Sequence, residues 1–249
     1  MGCFFMNIGD LVTRNKYGND IVFRIIKIKN NIAYLNGEYL RIKADAFIDD
    51  LKTYNKEEKC EEIDIVLNRD STLIPGCVLH LDGDERYLKK CLDLYKKYDI
   101  PAVGYFMEEK EMEKQITNLL IEHKPDVLII TGHDSVQNKD GKEIFENSGY
   151  FINAVKKARI YEPSKDSLVI FAGACQSYYE GLIKSGANFA SSPSRKNINV
   201  LDPVCIAINV SKSHVNEFID IEDILKRTIS KGVGIGGIDT RGVARKLYQ

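Results

Sequence analysis

Val127-Leu128-Ile129-Ile130-Thr131-Gly132-His133-Asp134 and Leu168-Val169-Ile170-Phe171-Ala172-Gly173-Ala174-Cys175-Gln176 share one form: a short apolar run, then small residues, then a reactive side chain. Strands covered by helices on both faces read as unbroken apolar runs, so both segments are expected to be central strands of a parallel sheet. Open parallel sheets bind ligands beyond the carboxyl ends of their strands, where His133 and Cys175 stand. The stretch between them holds one helix candidate, Tyr150–Ala158, and has the length of a right-handed crossover that lays the second strand beside the first. Adjacent strands lie about 4.8 Å apart, so an imidazole and a thiol on their ends can approach hydrogen-bonding range.

Working outward, the pattern from Leu73 alternates apolar runs with amphipathic stretches, the mark of a doubly wound α/β sheet. Further strands are expected at Cys77–Leu81, Ala102–Phe106 and Val204–Val210. Helices are expected at Glu85–Tyr98, Lys110–His123, Tyr178–Ser185 and Ile221–Ser230. Residues 8–48 read instead as short strands, Asp10–Arg14, Asp20–Lys29, Ile32–Leu35 and Tyr39–Ala44, with turn signals at Asn30-Asn31 and Asn36-Gly37. The division expected is a small SH3-like β-barrel over residues 1–58 and an α/β domain over 59–249, joined through the Lys- and Glu-rich stretch Lys52–Glu62.

Composition excludes several classes of function. Lys and Arg number 35 against 36 Asp and Glu, a formal charge of −1, which gives no field to gather nucleic acid or an anionic membrane. No run of eighteen apolar residues exists to span a bilayer. The start, Met1-Gly2-Cys3-Phe4-Phe5-Met6, lacks a basic leader, and an intracellular protein is expected. The six cysteines, at 3, 60, 77, 91, 175 and 205, show no CxxC spacing, against both a zinc ribbon and a thioredoxin-like pair.

Free cysteines are usually packing residues, and Cys175 alone would be read so. A histidine presented in the same way one crossover earlier shifts the balance to a Cys–His dyad, with Cys175 as nucleophile and His133 as general base. Gly173 and Ala174 allow a sharp turn, and Gln176-Ser177 lead into a helix whose positive end favours a thiolate. The backbone amides of Cys175 and Asp134 are candidates for the oxyanion site. No metal or organic cofactor is required. Cys77, Cys91 and Cys205 read as core, Cys3 and Cys60 carry no signal, His80 reads as a core histidine, and His123 as a helix-end residue. The run Gly232-Val233-Gly234-Ile235-Gly236-Gly237 lacks the strand-to-helix context of a phosphate loop and reads as a tail closing the sheet edge. The rival class is a non-catalytic binding module.

The order His then Cys separates the chain from class I glutamine amidotransferases, whose histidine follows their cysteine. It resembles the caspase, legumain and gingipain group at His133 and Ala174-Cys175, with Asp134 standing where that group carries Gly. A closer resemblance, to the YabG family of sporulation-specific cysteine peptidases, runs nearly end to end. Ile8–Arg14, Ile21–Ile25, Thr131–Asp134, Phe171–Ser177, Asn188–Arg195 and Gly236–Val243 carry it. It implies processing of spore coat and other sporulation proteins in the mother-cell cytoplasm and forming coat; the alternative would be a coat-assembly binding module. The caspase-like resemblance further implies a specificity pocket lined by Leu81-Asp82-Gly83-Asp84-Glu85. Asp82 or Asp84, or Asp202 from the opposite wall, would there pair with an arginine before the cut bond. The polar loop Ser191–Lys196 is the place expected for self-cleavage.

Overall fold

The computed structural model describes residues 6–55 and 72–248. Cys3, Cys60, the residues Met1–Phe5 and the expected linker beyond residue 55 lie outside these, whereas Lys52 and Thr53 belong to a strand. The chain divides into two compact units, Met1–Glu61 and Glu62–Gln249.

The first unit contains β1 (Leu11–Arg14), β2 (Phe23–Lys29), β3 (Ile32–Gly37), β4 (Lys43–Phe47) and β5 (Leu51–Thr53), an antiparallel sheet in the order β4-β3-β2-β1-β5. Val12, Phe23, Ile25, Ala33, Leu35, Ala46 and Leu51 form its core. Asn30 and Asn31, with φ of 50° and 62°, make the two-residue hairpin turn that their sequence signals, since Asn tolerates the left-handed region. Asn36-Gly37 does not turn. Strand β3 runs through Gly37, and the Gly37 amide bonds Ile42 O to close a longer connection, so β4 starts at Lys43 rather than Tyr39.

The second unit opens with β6 (Leu73–Ile74), β7 (Val78–Asp82), α1 (Glu85–Lys97), β8 (Ala102–Phe106), α2 (Glu109–His123) and β9 (Val127–Thr131). A hairpin follows, β10 (Val136–Lys139) and β11 (Lys142–Phe145), then α3 (Ser148–Tyr161), β12 (Val169–Ala172), α4 (Tyr179–Ser185) and β13 (Phe189–Ser191). Last come α5 (Asp202–Lys212), β14 (Phe218–Ile219), α6 (Ile221–Lys226), β15 (Ile235–Gly237), β16 (Thr240–Arg241) and β17 (Arg245–Lys246).

The central sheet has the order β15-β13-β12-β9-β7-β8. All neighbours in it pair in parallel except β15, which runs antiparallel to β13 at the edge. Counted along the chain, the five parallel strands lie as second, first, third, fourth, fifth. The order therefore reverses between β7 and β9, the position beyond whose carboxyl ends open parallel sheets bind ligands. Successive residues of each strand point to opposite faces. Leu79, Leu81, Leu128, Ile130 and Ile170 meet Met112 and Ile116 of α2 and Phe151 and Val155 of α3. Val78, Ile129, Val169 and Phe171 meet Cys91 and Tyr95 of α1 and Val204 and Ile208 of α5. Burial on both faces is why Val127–Ile130 of β9 and the whole of β12 are unbroken apolar runs.

Val204–Val210, expected as a strand, is the middle of helix α5, in which every residue from Asp202 to Ser211 is buried. A helix buried all round shows no 3.6-residue periodicity, and its β-branched residues mimic a core strand. Pro203 in its first turn is the helix signal that outweighs them. The fifth parallel strand is instead the three-residue β13. The Gly-rich run ends in β15, at the sheet edge as read.

Ile129 is fully buried between two helices, so Ile129→Ala is expected to lower unfolding stability in urea by about 2–5 kcal/mol. A loss below about 1 kcal/mol would contradict the two-faced core.

Candidate active site

Strands β9 and β12 pair in register, Ile130 opposite Ala172, so the loops carrying His133 and Cys175 leave the sheet side by side. Strand β7 pairs with β9 on the other side, Asp82 opposite Thr131, which brings Asp84 to the same end of the sheet.

His133 is held at three atoms. Its amide donates to Glu109 Oε1 at 2.8 Å, its carbonyl accepts from Asn147 Nδ2 at 2.9 Å, and its Nε2 lies 3.3 Å from Asp84 Oδ2. The Glu109 carboxylate reaches the amide only because Gly83 and Gly132 have no Cβ. One added at either would stand 2.2 or 2.5 Å from Glu109 Oε1. With Nε2–H donated to Asp84, a neutral ring presents Nδ1 as its basic nitrogen; this tautomer follows from the hydrogen-bond partner.

Asp84 is at once the N-cap of α1, accepting from the amides of Arg86 at 3.0 Å and Tyr87 at 3.3 Å. Burial pushes its carboxyl up, but the bond and charge of His133, the Tyr87 amide and the Arg86 charge together hold it below the usual carboxylate range. Beneath it runs a fully buried polar chain. Thr131 Oγ1 donates to Asp82 Oδ2 at 3.0 Å, which leaves the hydroxyl to accept from His80 Nε2–H at 3.0 Å. His80 Nδ1 then accepts from Tyr95 OH at 3.2 Å. Burial raises the Tyr95 phenol well above its ordinary value, so the hydroxyl keeps its proton. Asp82 Oδ1 accepts the Asp84 amide at 2.9 Å and so fixes the residue that meets His133.

Cys175 is 2% exposed and its Sγ lies 4.0 Å from Ile198 O. The turn that carries it has Gly173 at φ 110° and Gln176 at φ 63°. A Cβ on Gly173 would stand 2.6 Å from Ser191 Oγ, so glycine is required there both by conformation and by space. Ser191 Oγ donates to Ala174 O at 2.8 Å, the Ala174 amide donates to Ser177 Oγ at 2.9 Å, and the Gln176 amide donates to Ser192 Oγ at 3.1 Å. Helix α4 starts only at Tyr179 and has seven residues, so hydroxyls rather than a helix directly after Cys175 shape this turn.

The Asp134 side chain joins the two loops. Its Oδ1 accepts from the amides of Ser135 at 2.9 Å and Asn147 at 2.8 Å, and its Oδ2 from the hydroxyls of Ser148 and, at 2.9 Å, Ser177. Ser148 Oγ in turn accepts from the Tyr178 amide at 2.8 Å.

Of the acids expected to meet a substrate arginine, Asp84 stands beside His133, Asp82 is fully buried below it, and Asp202 is buried at the start of α5. Asp202 holds the amides of Asn199 at 2.9 Å and Ser230 at 3.1 Å, and burial raises its carboxyl above the usual range despite those bonds. The orienting contacts of Glu109, Asn147, Ser148 and Ser177 carried no sequence signal of their own. His80, Asp82 and Cys91 bring one ligand atom each within 4.8 Å of one another, the single metal-compatible group among the described residues. Hydroxyls occupy both nitrogens of His80, so this group is accounted for as part of the buried chain. His123 ends α2 with Nε2 2.7 Å from Tyr105 OH. No helix among the described residues is long and apolar enough to cross a membrane.

The YabG peptidase U57 family model matches residues 7–70 and 66–249. The chain belongs to the YabG peptidase family. It is 41% identical over 278 residues, covering 96% of each chain, to the sporulation-specific protease YabG of Bacillus subtilis (strain 168). No solved structure matches. Membership in the YabG family makes the chain a peptidase.

Asp84→Asn keeps an N-cap but removes the carboxylate from His133, so peptidase kcat/KM is expected to fall at least about tenfold and the stability that the depressed carboxyl contributes is lost. Asp84→Ala should add a loss of about 1 kcal/mol from the cap. Because the folded carboxyl is depressed, its stability contribution is complete above the unfolded value near about 3.9 and disappears as pH falls through the folded one. The stability difference between wild type and Asp84→Asn, followed by urea unfolding, should therefore be constant above about pH 5 and shrink below about pH 4.

Proposed function

We propose that the chain is a sporulation-specific cysteine endopeptidase in which Cys175 is the nucleophile and His133 its base. The observation that carries this reading is the Asp84–His133 bond at the switch point of the sheet, on the strand next to the one that presents Cys175. Held by Asp84 through Nε2, the ring has Nδ1 to receive the thiol proton. The thiolate attacks a peptide carbonyl and forms a tetrahedral oxyanion at the amides of Cys175 and Asp134. Collapse transfers the His133 proton to the departing amine and leaves a thioester. Water, deprotonated by the same ring, then releases the acyl group and the free thiol. Asp84 orients the ring in both halves of the cycle.

The likeness to the Bacillus subtilis protease supports sporulation proteins, those of the spore coat included, as substrates, met in the mother cell and the forming coat. The strand order and the His-before-Cys arrangement support a caspase-like fold for the larger domain, and the five antiparallel strands an SH3-like barrel for the smaller, with the boundary near residue 58. Cleavage after arginine, and self-cleavage within Ser191–Lys196, belong to the same proposal.

Cys175→Ala should abolish cleavage of coat proteins, read by mass-spectrometric mapping of products, while leaving the circular dichroism unchanged. His133→Ala should lower kcat by about a hundredfold or more. Full cleavage by a folded Cys175→Ala protein would exclude the thiol mechanism.

A further inference from the structure

Arg195 lies in the turn after β13, three residues beyond Ser192, whose hydroxyl accepts from the cysteine turn. All five guanidinium N–H donors are used. Nε and Nη2 reach the two carboxylate oxygens of Glu143 at 3.3 and 3.0 Å, and Nη2 also reaches Glu180 Oε2 at 3.1 Å. Nη1 donates to Ser177 O at 3.4 Å and Ser192 O at 3.1 Å. The Phe145 ring covers the cation, its centroid 5.2 Å from Cζ, and stacks on Tyr178. A planar fork met by a bidentate carboxylate, a second carboxylate, carbonyls and an aromatic face is a complete guanidinium receptor.

Its parts come from elements with separate duties. Glu143 and Phe145 belong to the β10–β11 hairpin, which leaves the His133 loop; Ser177 closes the cysteine turn, and Glu180 opens α4. Two carboxylates against one guanidinium leave the receptor negative even when filled. The side chains of Glu143 and Glu180 are 46% and 55% exposed, so a cation from solvent can reach them, unlike Asp82 and Asp202, which are buried among internal partners. Arg195 itself holds φ at 54°, an uncommon backbone for a side-chain-bearing residue.

We infer that Glu143, Glu180 and Phe145 form the guanidinium subsite of this peptidase and that Arg195 is its resident plug, displaced when an arginine of a protein substrate enters. The effect on cleavage rests on the function proposed above; the receptor itself does not.

The test uses the full chain and agmatine, a free guanidinium probe, with binding read by calorimetry. An occupied site weakens apparent affinity by the fraction of time it is vacant, so Arg195→Ala should bind agmatine about tenfold more tightly than wild type. The triple variant Arg195→Ala, Glu143→Gln, Glu180→Gln should lose that binding. With paired peptides, Arg195→Ala should raise the ratio of kcat/KM for Arg over Leu before the cut bond several-fold. If folded Arg195→Ala binds agmatine no better than wild type and loses activity on both peptides alike, Arg195 is a latch and the inference is overturned. Should Arg195→Ala not fold, Arg195→Gln keeps a hydrogen-bonding side chain without the charge and must show the gain in affinity, or the inference fails. Cleavage that survives Cys175→Ala would remove the thiol mechanism while leaving the agmatine result to stand or fall by itself.

Discussion

One buried carboxylate ties together the loops that carry His133 and Cys175. Asp134 accepts two amides and two hydroxyls, from its own loop, from the start of α3 and from the turn after Cys175. A carboxylate so nearly excluded from water must have its lone pairs occupied, and here the donors are residues whose positions decide where His133 and Cys175 stand. Ser177 relays the constraint to the Ala174 amide and Ser148 to the Tyr178 amide, so the cysteine turn cannot shift without breaking a bond to the histidine loop.

The neighbouring acids show how far one side-chain type is specialised by what touches it. Asp84 sits at a helix N-terminus beside an imidazole, and its partners keep it ionised. Asp202, with amides and a hydroxyl but little water, has its carboxyl raised. Glu109 fits under the histidine loop because two glycines clear the space. Glu143 and Glu180 face solvent and gather a cation. Sequence spacing could not have sorted these roles, since each depends on partners brought from another element.

The sheet was legible because burial on both faces writes itself as unbroken apolar runs, and β9 and β12 end just before the small residues that lead to His133 and Cys175. Helix α5 escaped for the same reason, since a helix buried on every side has no polar face to mark its period. Strand β13 is too short to stand out from the loop that follows. Asp84 was not legible as the partner of His133, because that bond spans 49 positions between different strand ends. The Arg195–Glu143 pair spans 52 and needs a hairpin that the Asp140-Gly141 turn signals only weakly.

The central claim is that Cys175 is chemically set apart by His133, and its alkylation measures this most directly. Burial alone would make half-exposed Cys77 the faster thiol of the two, although its own burial and the Asp126 carboxylate raise its pKa. Iodoacetamide modification followed by mass spectrometry across pH 6 to 9, bracketing the ordinary thiol value near about 8.5, should show Cys175 reacting first and already well below that value. That advantage should vanish in His133→Ala. If Cys175 reacts no faster than Cys77, or as fast without His133 as with it, the dyad is contradicted.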